Sequence, residues 1–273
     1  MAKTILITGA TDGLGLATTK RLAADGHHLL LHGRNSEKLR LAEGSLKGFS
    51  PKVTITCYQA DLSDPKQVLA FITAVESRHD ALDVIINNAG VFTVPASHST
   101  QQNSTVTPDG IDLRFAVNTL APYLITKGLW RRLRPNGRIV NVASAAQAPL
   151  NLAALRGELT LADHFNAYAQ SKLALIMWTR HLAQIVNHTG GPQLFAINPG
   201  SYLATKMVKD GFNTDGRDIN TGALILQEAA VGERFASANG EYFDNDQGGF
   251  AAPHAEARNV QRCAELVEIL ERL

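Results

Sequence analysis

One doubly wound α/β domain, a parallel sheet with helices on both faces, is what this sequence predicts. Three observations carry the prediction. Short apolar runs of strand character alternate with helix-length segments from the first residues to about Gly200, the order of successive βαβ units. A glycine-rich turn, Thr8-Gly-Ala-Thr-Asp-Gly-Leu-Gly15, joins the first strand to the first helix. No repeat or linker-like stretch interrupts the alternation before Gly200, so residues 1–273 read as a single domain. The right-handed crossover rule then distributes the helices over both faces.

The elements follow in order. Ile5–Thr8 is the first strand, and Gly13–Asp25 is helical on the spacing of Leu14, Ala17 and Leu22. His27-His28 open the second strand, which runs to His32; the next helix spans Ser36–Lys47 with Ser36 as its cap. Val53–Tyr58 precedes a helix opening at Ser63-Asp64-Pro65, where proline suits the first turn. Leu82–Asn87 is the fourth strand, followed by a polar loop and one long helical segment over about Asp109–Leu133. Arg138–Val142 is a strand, about Phe165–Val186 a helix, and Leu194–Asn198 a strand. After Gly200 come a helix at about Asn220–Ala230, a short strand at Tyr242–Phe243 and an amphipathic helix over about 255–273. Segments 93–108, 145–166 and 201–216 are long for loops, and each follows the carboxyl end of a strand, where ligands bind in open α/β sheets.

Composition excludes several classes. The chain is 45% hydrophobic and 19% charged with a formal net charge of +1, and no charge block suggests a nucleic-acid surface or a membrane tether. No apolar run approaches the ~20 residues of a membrane span, and the N-terminus passes directly into a strand, leaving no room for a signal peptide. Cys57 and Cys263, the two cysteines, lack metal or redox spacing, which fits a reducing compartment. The expectation is a cytoplasmic, soluble protein. The nine histidines show no HExxH spacing, and no metal site is expected. A Gly-x-Ser-x-Gly elbow is absent, and the glycine turn lacks the Lys-Ser/Thr ending of a phosphate loop. Trp130 and Trp178 fall in helical runs and read as core.

Two motifs carry chemistry. The turn holding Gly9, Thr11, Asp12, Gly13, Leu14 and Gly15 has Gly-x3-Gly-x-Gly spacing; in a strand–turn–helix context it offers backbone N–H groups and a helix N-terminus to a pyrophosphate. At the end of the second strand, where an NAD site carries a carboxylate for the ribose, this chain has His32-Gly33-Arg34-Asn35. Arg34 can bind a 2′-phosphate bidentately, so NADP(H) is expected over NAD(H); Asp12 argues mildly the other way. The second motif is Tyr168-Ala-Gln-Ser-Lys172. Residues four apart share a helix face, so the Lys172 ammonium should pull the Tyr168 phenol down towards working pH, which makes a tyrosine a usable general acid or base. Alone, such a pair is most often a surface contact.

Taken together with Asp61-Leu62, Asn87-Asn88-Ala89-Gly90, Asn118, Ser144 and Asn198-Pro199-Gly200, these motifs make the chain resemble the short-chain dehydrogenase/reductase family over about residues 3–205. The longer insert between Ser144 and Tyr168 is most similar to the retinol-dehydrogenase-like and protochlorophyllide-reductase-like branches. The resemblance implies a Rossmann-like fold and NADP(H)-dependent interconversion of a carbonyl and an alcohol. It implies that Asp61 and Leu62 meet the adenine, that Asn88, Ala89 and Gly90 line the cofactor, and that Pro199, Gly200 and Ser201 turn over the nicotinamide. It also implies a catalytic set: Ser144 bonds the substrate carbonyl, Tyr168 transfers the proton, Lys172 also bonds the nicotinamide ribose, and Asn118 anchors a proton relay. Between Gly200 and Thr205 this chain has four residues where the family usually has three, which puts the role of Thr205 in doubt. Homodimers or homotetramers through the Tyr-bearing helix are implied too, although the terminal helix is placed to cover that surface. The insert mixes Leu150, Leu152, Leu155 and Phe165 with Arg156 and Asp163, which suits a partly apolar small-molecule substrate and equally a packed loop. Two other readings stay open: a nicotinamide-sensing regulatory or scaffold protein on the same fold, and an enzyme reducing C=C.

Overall fold

The computed structural model describes residues 2–50, 53–92, 105–189 and 191–273. Of the first substrate-side loop, 93–108, residues 93–104 lie outside the described residues. The chain runs β1 (Thr4–Ile7), α1 (Gly13–Ala24), β2 (His28–Gly33), α2 (Ser36–Phe49), β3 (Thr54–Gln59), α3 (Pro65–Glu76) and β4 (Leu82–Asn87). Then come α4 (Leu113–Phe115), a π-helical turn (Ala116–Leu120), α5 (Ala121–Leu129), β5 (Leu133–Val142), α6 (Leu152–Leu155), α7 (His164–Thr189) and β6 (Gln193–Asn198). The last part holds α8 (Lys206–Phe212), α9 (Ile219–Val231), β7 (Tyr242–Asp244), β8 (Gly249–Phe250) and α10 (Val260–Leu270).

The strands form one sheet in the order β3-β2-β1-β4-β5-β6-β7-β8, parallel except for β8, which pairs antiparallel with β7. Order reverses between β1 and β4, and this switch point opens the crevice in which such sheets bind ligands. Each central strand is buried on both faces. In β1, Leu6 joins one apolar cluster, with α3, α5, α7 and α10. Ile5 and Ile7 join the other, with α1, α2 and α9. That is the period-2 alternation of a sheet covered on both sides. Trp178 is fully buried in the first cluster, edge-on to Tyr123 at 5.6 Å between ring centroids, whereas Trp130 is only partly buried.

Several boundaries differ from the sequence expectation. The helix expected from Asp109 begins at Leu113, because Gly110 adopts φ +85° and Asp112 supplies the cap by accepting from Arg114 N. Asn35, not Ser36, caps α2, its side chain accepting from Lys38 N at 2.9 Å. β5 extends back to Leu133, which pairs with Leu82 across a register shift. Two expected loops contain short helices: α6, capped by Asn151, and α8, capped by Thr205. Asn259 splits the terminal segment into a 3-10 turn (Ala255–Arg258) and α10. Propensity does not see these caps, because side-chain acceptors three residues from an N–H act only once the turn has formed.

Candidate active site

The glycine turn is built by close approach. Gly9 and Gly13 have φ +65° and +48°, where only glycine sits without strain. At Gly15 the demand is space: a Cβ there would lie 2.1 Å from the Gly9 carbonyl oxygen and 2.5 Å from Asn88 Nδ2. Asp12 caps α1, accepting from Gly13 N at 2.8 Å, and Leu14 packs towards α9 beside Gly222. The Asn88 side chain holds the turn: Nδ2 donates to the Thr8 and Gly9 carbonyls at 2.9 and 3.2 Å. Thr8 Oγ1 accepts from Asn88 N and Ala89 N, both at 3.0 Å. Asn88 and Ala89 thus brace the turn from β4, and Gly90 is the position of that segment that faces Asn118 and Lys172.

His32, which sequence reasoning passed over, holds the turn from β2. Its Nδ1 accepts from Gly9 N at 3.3 Å and its Nε2 donates to Ala60 O at 3.1 Å. Burial lowers its pKa to about 4, so the ring is neutral and its tautomer is set by those two bonds.

At the ribose end, Arg34 is exposed beyond β2. Asp12 is paired with Lys38 at 2.6 Å, and that bond is the largest cause holding its carboxyl below the usual range. Thr11, Asp12, Lys38 and Ser45 line a cleft of about 260 Å3 beside the turn. Lys38 was not singled out in the sequence; it brings a cation beside Asp12. Asp61 and Leu62, expected at the adenine, follow β3. Asp61 Oδ1 accepts from Ser63 N and Oγ at 2.9 and 2.7 Å, and Leu62 is 6% exposed within the core. Asp61 Oδ1 thus braces its own turn, and Leu62 packs in the apolar cluster.

Asn118, Ser144, Tyr168 and Lys172 come together at the carboxyl ends of β4 and β5. Asp163 Oδ1 caps α7 by accepting from Phe165 N and Asn166 N at 2.9 and 3.1 Å, which starts the helix one turn before Tyr168. Lys172 is 3% exposed, and its Nζ donates to Val142 O at 2.7 Å. A Cβ on Gly90 would lie 3.4 Å from both Lys172 Nζ and Asn118 Oδ1. Asn118 lies in the π-helical turn, a feature frequent at functional sites. Its amide is fully engaged: Oδ1 accepts from Val91 N at 2.8 Å, and Nδ2 donates to Val91 O and Ser171 Oγ, both at 3.0 Å. Ser171, unforeseen, ties the turn to α7, since its hydroxyl donates to Tyr168 O at 2.7 Å. Ser144 Oγ accepts from Ala146 N at 3.1 Å, and the Ser144 carbonyl accepts from the buried Tyr242 hydroxyl at 3.1 Å.

The expected electrostatics of the pair are corrected here. Burial raises the Tyr168 phenol above its ordinary value, and the neighbour that opposes the shift is the Ser144 hydroxyl, not Lys172. Lys172 Nζ stands 5.9 Å from the Tyr168 ring centroid and is turned to the Val142 carbonyl. The same burial lowers Lys172 itself to about 8, so desolvation outweighs the cation's pull in this arrangement.

After β6, Gly200 takes φ +122° and the Asn198–Ser201 turn is clamped from the β7–β8 hairpin. Asp246 accepts from Ser201 N at 3.0 Å, from Asn198 Nδ2 at 2.9 Å and from Arg217 Nη1 at 3.1 Å. Asn245 Nδ2 donates to Pro199 O at 2.9 Å. Tyr202 adopts a left-handed φ of +54°, a conformation in which the four-residue spacing returns Thr205 to the glycine turn. Its Cγ2 lies 3.4 Å from where a Gly13 Cβ would stand, and its Oγ1 accepts from Val208 N. Among the described residues no cluster of three or more His, Cys, Asp or Glu is arranged for a metal ion, and no helix is long and apolar enough to cross a membrane.

Comparison with known proteins follows the same lines. The profile of the short chain dehydrogenase family matches residues 3–216. Human retinol dehydrogenase 13 is 28% identical, over 95% of this chain and 81% of its own length. Human polyprenol dehydrogenase is 32% identical over 77% of this chain and 61% of its own. Among solved structures, a Mycobacterium paratuberculosis protein of uncharacterised function superposes with TM-score 0.79 at 25% identity, covering 99% of this chain and 92% of that one. A Burkholderia cenocepacia short chain dehydrogenase in complex with NADP gives 0.69 at 26%, covering 89% and 95%. The retinol dehydrogenases among the relatives agree with the branch that the insert suggested. With the sheet, the glycine turn and the Ser144–Tyr168–Lys172 cluster in place, this chain is a member of the short chain dehydrogenase family.

Proposed function

We propose that the protein is an NADP(H)-dependent reductase or dehydrogenase interconverting a carbonyl and an alcohol on a partly apolar small molecule. The observation that carries the reading is the convergence of Ser144, Tyr168 and Lys172 beside Gly90, next to a turn that excludes any Cβ at Gly15. The turn at Gly9–Gly15, Gly90, Lys172 and the Pro199–Ser201 turn are suited to hold a dinucleotide. Arg34 and Lys38 are the cations available to a 2′-phosphate, and the Asp12 carboxylate is already paired with Lys38, which supports this reading. NAD(H) is the weaker fit, because no carboxylate ends β2.

A bound nicotinamide supplies hydride to the carbonyl carbon, or takes it from the alcohol. The chain's own residues handle orientation and the proton. Ser144 donates to the carbonyl oxygen and stabilises the charge that develops there. Tyr168 delivers the proton to that oxygen from a phenol kept protonated by burial. Lys172, lowered to about 8, can gain or lose a proton near neutrality and restores it to the phenol. The Asn118 side chain holds Val91 and Ser171 in place around this cluster.

Phe92 stands edge-on to Tyr168 at 5.3 Å between ring centroids, which favours an apolar substrate body near the phenol. Cytoplasmic localisation is part of the proposal, supported by two free thiols. α10 packs along α7 with Cys263, Leu266 and Leu270 buried, so a homodimer or homotetramer is proposed only through a surface that α10 leaves open.

The test is absorbance of NADPH and of NADH with a panel of aldehydes, ketones and quinones. Wild type is expected to oxidise NADPH faster than NADH. Tyr168→Phe is expected to lose roughly 10²–10⁴-fold in turnover while NADPH binding, read by fluorescence, persists. Binding of NADPH without turnover of any carbonyl by wild type would favour a sensor instead.

A further inference from the structure

Arg114 is fully buried, and all of its visible partners lie at the start of α7 or beside itself. Its Nε and Nη2 donate to the Asp112 carboxylate at 2.8 and 2.5 Å, and its Nη1 donates to His164 Nδ1 at 2.9 Å and to His164 O at 3.2 Å. A guanidinium has no acceptor, so this geometry permits one arrangement of the imidazole. Nδ1 presents its lone pair and the ring proton sits on Nε2. His164 is half-buried, and its Nε2 has no partner among the described residues. A buried ion pair is thus used to fix the tautomer and orientation of one partly exposed donor.

The position of that donor gives it a use. His164, Tyr168 and Lys172 are spaced four apart on α7 and share one face, with roughly 5–6 Å between successive Cβ atoms. Aromatic side chains stand at the same end of α7: Phe92 is edge-on to Tyr168 at 5.3 Å between ring centroids. Phe92 and Phe165 stack edge-on at 6.5 Å on the neighbouring turn. We propose that His164 is a specificity-determining residue whose Nε2–H bonds an acceptor oxygen that the substrate carries about one helical turn from the reacting carbonyl. The substrate class is then a carbonyl compound with a second oxygen function a few bonds away on an otherwise apolar frame. This rests on the carbonyl-reductase reading above.

Paired substrates test it: 2,5-hexanedione, which has the second oxygen, against 2-hexanone, which lacks it, each with NADPH. His164→Asn keeps an acceptor near the Nδ1 place for Arg114 but has no donor at the Nε2 place; His164→Gln reaches the Nε2 place with an amide N–H. His164→Asn is expected to raise KM for the dione at least tenfold more than for the ketone, with kcat moving less than KM. His164→Gln is expected to recover at least half of that preference on a logarithmic scale. Equal effects of His164→Asn on both substrates, or identical behaviour of the Asn and Gln variants, would overturn the assignment and leave His164 as a strut. If wild type reduces neither compound nor any carbonyl in the wider panel, the reductase reading itself fails, and this inference with it.

Discussion

Lys172 is the residue whose chemistry depends most on where the fold puts it. Its folded pKa of about 8 lies below the ordinary 10.5 because burial penalises the ammonium. Between those two values the unfolded chain binds more protons than the folded one, so stability rises with pH across that window. Below about 8 the full desolvation cost is present; above about 10.5 it is gone. The span corresponds to about 3 kcal/mol as an upper bound. Lys172→Met, which removes the charge but keeps the stem, is expected to flatten the rise in stability between pH 8 and 10. Urea unfolding of both proteins at the two pH values measures it, and an unchanged slope in the variant would show that the titration belongs elsewhere.

Among the elements, the α1 and α2 helices show how differently glycines are used. Gly15 opens α1 against the Gly9 carbonyl with no room for a methyl group, whereas Gly44 lies exposed inside α2 with nothing within 4 Å of its missing Cβ. Gly15→Ala must push α1 away from β1, and it is expected to abolish dinucleotide binding and cost about 1–3 kcal/mol. Gly44→Ala is expected to stabilise by roughly 0.5–1 kcal/mol, since alanine loses less backbone entropy in a helix. Thermal melts and NADPH titration of the two variants check the contrast. The bracing of the turn by Asn88 and His32 gives the same picture: three strands, β1, β2 and β4, converge on one loop through N–H and carbonyl bonds.

At the scale of the whole molecule, the C-terminal portion completes the site. Asp246 and Asn245, beyond β7, hold the turn after β6, and the Tyr242 hydroxyl holds the Ser144 carbonyl. Glu271 at the end of α10 accepts from Lys127 at 2.6 Å and from the Tyr123 hydroxyl, fastening α10 to α5. Asp246→Asn keeps the shape but removes the charge that Ser201, Asn198 and Arg217 share. Hydrogen bonds to a charged group contribute about 1.5–3 kcal/mol, so a loosened turn is expected to weaken NADPH binding by about tenfold. Calorimetric titration with NADPH reads this directly, and an unchanged affinity would confine Asp246 to local packing.

The order of strands and helices in the parallel sheet, the glycine turn and the Tyr168–Lys172 pair were legible in residue order alone. Alternation of strand and helix, φ-permissive glycines and a four-residue spacing are local properties, and local chemistry suffices to read them. His32, Lys38, Arg114, Ser171, Tyr242 and Asp246 left no such trace. Each acts on residues brought near by folding, as Tyr242 on Ser144 across 98 positions or Arg114 on His164 across 50. The protonation of the central pair belongs to this second group. Spacing places an ammonium beside a phenol, but only the packed structure removes both from water. Desolvation, which no spacing encodes, then raises the phenol, lowers the amine and turns Lys172 to the Val142 carbonyl.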